Sequence, residues 1–350
     1  MPFLTATWRV MLATCLLPLL AFAPLLSLSA AAADDRIPGL PADSLPVVID
    51  EGLFRTEASL NRYLDECGYE VGFCATLLDQ GRAVERFADR EVCLASMVKV
   101  FCLTELFRRA EDGLDLDATT LAVPGRREMS LRKAADLMIG LSDNAATQAL
   151  TEFLGRERVN AIPSLLGMEG LAPEILPTES RLHDVLDQRI AGDREAEAGL
   201  PQHGTARAMA TYYERLHARQ VISPAVSRDL LAFFARHPKA FSHEYREAFR
   251  FGGKGGNILW TRPPRHYSMM GWGLLLTDPH RQPAGLGDPI AVRQRGPLAL
   301  CVWGEWFPAE MPPDEQQAFL ATVTDSVIAI LETPQRAAKR IESASQIQQL

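Results

Sequence analysis

Between residues 92 and 103 of this chain Lys99 is the only charged side chain, and Ser96 stands three positions before it. On a helix the two share a face, one turn apart. Burying an ammonium among apolar neighbours costs several kcal/mol unless it is paired, and desolvation favours the neutral amine. A neutral amine beside a hydroxyl is the arrangement that turns a serine into a usable nucleophile. At the start of such a helix, free backbone N–H groups and the positive end of the helix dipole also favour a developing oxyanion. The S-x-x-K spacing alone decides nothing, since it arises by chance about once in a chain of this composition. A second copy, Ser130 to Lys133, follows the polar run Arg126-Arg127-Glu128 and reads as a helix N-cap.

Two further signals follow in order. Ser142-Asp143-Asn144 closes one helical run and opens another, and Lys254-Gly255-Gly256-Asn257 precedes a strand-rich region. Taken alone, the first reads as a capped turn and the second as a flexible loop. Together, S-x-x-K, S-D-N and K-x-G are far more specific than any one of them.

These residues need elements to carry them. Capping residues and apolar spacing predict helices over 57–67, from 96 through 107, and over 130–139, 145–154, 205–218 and 314–331. Alternating or apolar runs bounded by turn residues predict strands at 69–78, 83–87, 267–276 and 296–306. Sheet segments near both ends with helices between them imply an α/β sandwich. Its antiparallel sheet is assembled from the two ends and flanked by terminal helices, with an all-helical lobe alongside. The expected organisation is a signal segment over 1–33, a linker over 34–52, a sheet lobe from 53–95 with 225–350, and a helical lobe over 96–224.

Composition narrows the function. The 350 residues carry 36 Lys+Arg against 44 Asp+Glu, net −8, which argues against nucleic-acid binding. There is no G-x-G-x-x-G and no G-x-x-x-x-G-K-[ST] loop, so dinucleotide and P-loop chemistry drop out. Residues 1–33 hold one charge, Arg9, an apolar run broken by Pro18 and Pro24, and a small-residue end before Asp34-Asp35. This predicts export with cleavage near Ala33, a secreted or periplasmic protein and no lasting membrane anchor. Beyond that point Cys67, Cys74, Cys93, Cys102 and Cys301 make an odd set, so at least one thiol is free or pairs between chains. Neither C-x-x-C nor zinc-ligand spacing occurs, and no metal or organic cofactor is expected.

With these motifs in place the chain resembles the serine penicillin-recognising enzymes, and within them the class A β-lactamases. The approach 87–96, the acidic loop 110–117, the helix start at Met129-Ser130-Leu131-Arg132 and the stretch 204–210 extend the likeness. It covers most of 57–331. The resemblance implies Ser96 as the acylated nucleophile with Lys99 as its proton partner. It implies Ser142 as the proton relay to the leaving nitrogen, with Asn144 holding Lys99 and the substrate amide. Lys254 would face Ser142 and a substrate carboxylate, and the backbone N–H groups of Ser96 and Asn257, next to Gly256, would form an oxyanion hole. Glu179, in Glu179-Ser180-Arg181-Leu182-His183, would activate the deacylating water, with His183 beside it.

Departures from the family pattern bear on activity. Gly255 stands where the family has a hydroxyl, His183 replaces an asparagine, and Pro177 takes the place of the omega-loop arginine. The segment between Lys99 and Ser142 is short, while that between Glu179 and Met209 is long. Acylation machinery is complete and deacylation machinery is altered. The leading expectation is an exported monomeric β-lactamase acting on a small-molecule β-lactam. The alternatives are a D-Ala-D-Ala peptidase or esterase of the same fold acting on a cell-wall-peptide-like substrate, and a non-catalytic binding protein.

Overall fold

The computed structural model describes residues 54–168, 170–174, 202–237, 250–262, 265–277, 296–306 and 311–333. The first helix, α1 (Glu57–Cys67), is capped by Thr56, whose hydroxyl accepts from Ser59 N, and ends at Gly68 with φ +69°. A hairpin follows, β1 (Glu70–Leu77) and β2 (Arg82–Arg86), and then the two-residue β3 (Val92–Cys93). A 3₁₀ turn, Ala95–Val98, leads into α2 (Lys99–Glu111), in which every residue from Lys99 to Phe107 is buried. That is the pattern of a helix packed on all sides rather than on one stripe.

Between α2 and the next helix, β4 (Thr120–Leu121) and β5 (Met129–Ser130) form a short ladder. Then come α3 (Leu131–Gly140) and α4 (Asn144–Leu154), followed by two short helices that the sequence reading did not foresee, α5 (Arg156–Asn160) and α6 (Ile162–Leu165). The small strand β6 (His203–Gly204) pairs with β3, and α7 (Ala206–His217) starts on a Thr205 cap. Another unforeseen helix, α8 (Pro224–Arg236), begins with Ser223 as cap and proline in its first turn. The chain finishes with β7 (Arg250–Arg262), β8 (Arg265–Thr277), β9 (Leu298–Trp306) and α9 (Pro313–Glu332). The glycine-rich run 252–257 lies inside β7 rather than ahead of the strands.

Five strands make one antiparallel sheet in the order β2-β1-β9-β8-β7, so the two ends of the chain interleave and β9 is the centre strand. Side chains alternate across it. One face offers Val71, Phe73, Leu274, Leu300 and Val302 to α1 and α9. The other offers Cys74, Leu275, Ala299, Cys301 and Trp303 to the central helices. The result is a mixed α/β sandwich, and each large apolar side chain so buried contributes about 1.5–3 kcal/mol. Arg82 fastens the far end of α9 to the β2 edge by donating to Leu331 O at 2.7 Å, Thr333 O at 2.9 Å and Ile330 O at 3.3 Å.

Candidate active site

The Ser96 turn is held from both sides. On one side β3 pairs with β6, and Leu94 N donates to Gln202 O at 2.7 Å. On the other, Gly256 of β7 lies against the turn so closely that a Cβ there would come 2.7 Å from Leu94 O, 2.8 Å from Ser96 N and 3.0 Å from Met97 N. Only glycine permits that approach. Within the turn Ala95 takes φ +46°, a left-handed conformation costly for a residue with a Cβ. Ser96 itself is half-buried.

Lys99 opens α2 and is 4% exposed. Its ammonium donates to Ser142 O at 2.7 Å, Ser142 Oγ at 3.1 Å and Asn144 Oδ1 at 2.7 Å. Lys254, 2% exposed, reaches the same hydroxyl from β7, donating to Ser142 Oγ at 2.9 Å and to Gly255 O at 2.6 Å. Two buried amines therefore converge on one serine oxygen. A hydroxyl has two lone pairs. With both engaged, the Ser142 proton is left free to point at a third group. At Lys99, two of these acceptors, Ser142 O and Asn144 Oδ1, can only accept. A neutral Lys99 would keep those two and accept from a hydroxyl instead.

The Ser142 turn is itself strained and heavily supported. Ser142 has φ +59°, and Leu137 O accepts from both Leu141 N at 3.0 Å and Asp143 N at 3.1 Å. Asp143 caps α4 through Ala146 N at 2.8 Å and pairs with Arg126. The Ala146 N–H first, and then Arg126, hold its carboxyl below the usual carboxylate range. Arg126 is a contributor that the sequence reading left out; no spacing rule connects it to Asp143.

β7 is an edge strand. The carbonyl of Gly255 accepts from the Lys254 side chain, so that peptide faces off the sheet edge. In an antiparallel strand a residue's N–H and C=O point the same way and alternate from one residue to the next. Asn257, two residues on, therefore presents its N–H on the same open edge, with its side chain exposed. A Cβ on Gly255 would meet nothing closer than Gly271 O at 3.6 Å, so the missing hydroxyl is not enforced by crowding.

The structure thus gathers Lys99, Ser142, Asn144 and Lys254 in direct contact and sets Gly256 against the Ser96 backbone. Glu179, His183 and Pro177 lie outside the described residues. Ser130 of the second S-x-x-K accepts from Lys133 N at 3.3 Å as the cap of α3. Among the described residues no group of His, Cys, Asp and Glu could hold a metal ion. The five described cysteines are free thiols, and burial pushes Cys74 up to about 12. No described helix is long and apolar enough to cross a membrane.

Known structures share this fold. No curated protein is significantly similar in sequence. Among solved structures, the TLA-1 extended-spectrum β-lactamase superposes with a TM-score of 0.62 at 15% identity, over 79% of this chain and 98% of that one. A β-lactamase from Sphaerobacter thermophilus gives 0.57 at 19% identity, covering 78% and 95%. A class A β-lactamase from Mycobacterium abscessus gives 0.55 at 15%, covering 77% and 96%. At these identities the likeness is one of fold. The model of the β-lactamase enzyme family matches residues 55–261, more than half of the chain, and the protein belongs to that family.

Proposed function

We propose that this serine-hydrolase-fold protein is a β-lactamase working through an acyl-enzyme at Ser96. Ser96 Oγ attacks the lactam carbonyl carbon and passes its proton to a neutral Lys99. The backbone N–H groups of Ser96 and Asn257 take the oxyanion. The carbon–nitrogen bond then breaks as Ser142 gives its proton to the leaving nitrogen and takes in its place the proton held by Lys99, which returns to the neutral amine, with Lys254 beside it to attract a substrate carboxylate. Water activated by Glu179 cleaves the ester. The observation that carries this reading is the convergence of Lys99 and Lys254 on Ser142 Oγ, which leaves that hydroxyl's proton free to transfer. We also propose export directed by residues 1–33 and action as a monomer without cofactor.

A time course of intact mass with benzylpenicillin tests the reading. The expected outcome is an adduct on Ser96 that forms and clears while hydrolysed product accumulates. In Glu179→Gln the adduct should form as before and persist; turnover surviving that change makes Glu179 a bystander. Gly255 favours a second reading, a peptidase or esterase that penicillins acylate without release. An adduct lasting hours in the wild type supports it. Because the site has room for a side chain at 255, Gly255→Thr should fold normally and, under the β-lactamase reading, raise turnover of carboxylate-bearing β-lactams.

A further inference from the structure

The last turn of α8 touches both arms of the site. At one end Phe234 packs on β7, where a Cβ on Gly252 would lie 3.1 Å from Phe234 Cβ. Gly252 is two residues before Lys254, on the same face of the strand. At the other end His237 closes α8, its N–H donating to Phe234 O at 2.9 Å. Its ring rests on Phe233 at 4.9 Å between centroids, and Nε2 lies 2.9 Å from Asp136 Oδ1 of α3. The ring also abuts Gly140, where a Cβ would come 3.0 Å from Nδ1. Gly140 is two residues before Ser142. Beside the imidazole lies an open groove of about 390 Å³ whose described lining includes Leu137, Leu141 and Arg236 along with Asp136, Gly140 and His237.

We propose that His237 is a positioning residue. Bonded to Asp136 and seated on Gly140, it fixes the last turn of α3 and so holds Ser142 Oγ at the meeting point of Lys99 and Lys254. The proposal rests on the reading of Ser96 as nucleophile. The left-handed backbone of Ser142 persists only where its surroundings over-determine it, and His237 supplies one of those constraints through Gly140 and Asp136.

The test is the acylation rate of Ser96, followed by intact mass with benzylpenicillin and with a fluorophosphonate, alongside Tm. His237→Ala should lower the maximal acylation rate about tenfold or more with the half-saturating concentration little changed, because a displacement near 1 Å costs up to about 10²-fold. His237→Gln, whose amide can donate to Asp136 in place of Nε2, should restore most of the rate. Gly140→Ala should reproduce the loss, and adding it to His237→Ala should cost nothing more. His237→Ala acylated at the wild-type rate, whatever its Tm, overturns the proposal and leaves the function standing. So does a rate loss that His237→Gln fails to rescue and that a lowered folded fraction accounts for. A wild type inert to both reagents instead sinks the reading of Ser96, and this inference falls with it.

Discussion

Two serines in this chain are followed at the same spacing by a lysine, and the fold uses them for different ends. Ser130 sits in extended backbone at the mouth of α3 and spends its hydroxyl on Lys133 N, while the Lys133 side chain lies in solvent. Ser96 sits in a 3₁₀ turn clamped between β6 and β7, and Lys99 is buried with its ammonium on the Ser142 turn. The first pair is an ordinary helix start, worth about 1 kcal/mol. The second places a cation where solvation is lost, which stability alone would not select. Chemistry follows from what surrounds the pair, not from the spacing.

That contrast can be attacked at several points. Lys99→Ala should slow acylation of Ser96 by about 10²–10⁴-fold, the usual worth of a positioned acid or base, whereas Lys133→Ala should leave the rate alone; stopped-flow or mass kinetics giving equal effects would erase the distinction. Gly256→Ala should cost about 1–3 kcal/mol of stability through overpacking and depress acylation with it, because the new methyl must displace backbone at Ser96. Chemical denaturation checks the first part and adduct formation the second. Ser130→Ala should lose about 1 kcal/mol as a missing cap, visible as a lower Tm at unchanged acylation rate. The smallest effect is expected for Asp143→Asn, which keeps a good cap but not the charge. Asp143 has a folded pKa below its unfolded value near about 3.9, so its contribution is complete above that pH and fades as pH falls through the folded value. The stability gap between wild type and variant, followed by urea unfolding from pH 7 downward, should therefore be flat at first and close only in acid.

Much of the molecule was readable from sequence where local chemistry and tertiary need agree. Thr56, Ser130, Asp143 and Thr205 each announce a helix that the structure starts at that point. Ser223-Pro224 ahead of spaced apolar residues announces α8 in the same way, so that omission was one of reading rather than of signal. β7 is different. Five of the residues from 252 to 257 are Gly or Asn, poor strand formers, and their extended state is imposed from outside by pairing with β8 and by the closeness of the Ser96 turn. The contact of Lys99 and Lys254 with one hydroxyl is likewise invisible in sequence, although the motifs named the partners. His237 carried no motif at all. Its importance is a matter of which helix end meets Gly140, and only the fold supplies that.

The interleaved sheet has a bearing on the order in which the site can come into being. Lys99, Ser142 and Asn144 leave the ribosome early, but the strand that carries Lys254 hangs on β8, and β8 hangs on β9. Cys74 must wait for its cross-strand partner Cys301, so the centre of the sheet is laid down across more than 200 residues of intervening chain. Contacts of such long range are slow to form. Any nascent chain that stops short of Trp306 has its proposed nucleophile and first lysine yet cannot seat the second. Reactivity at Ser96 is thus expected to appear abruptly, and late, in the life of each molecule.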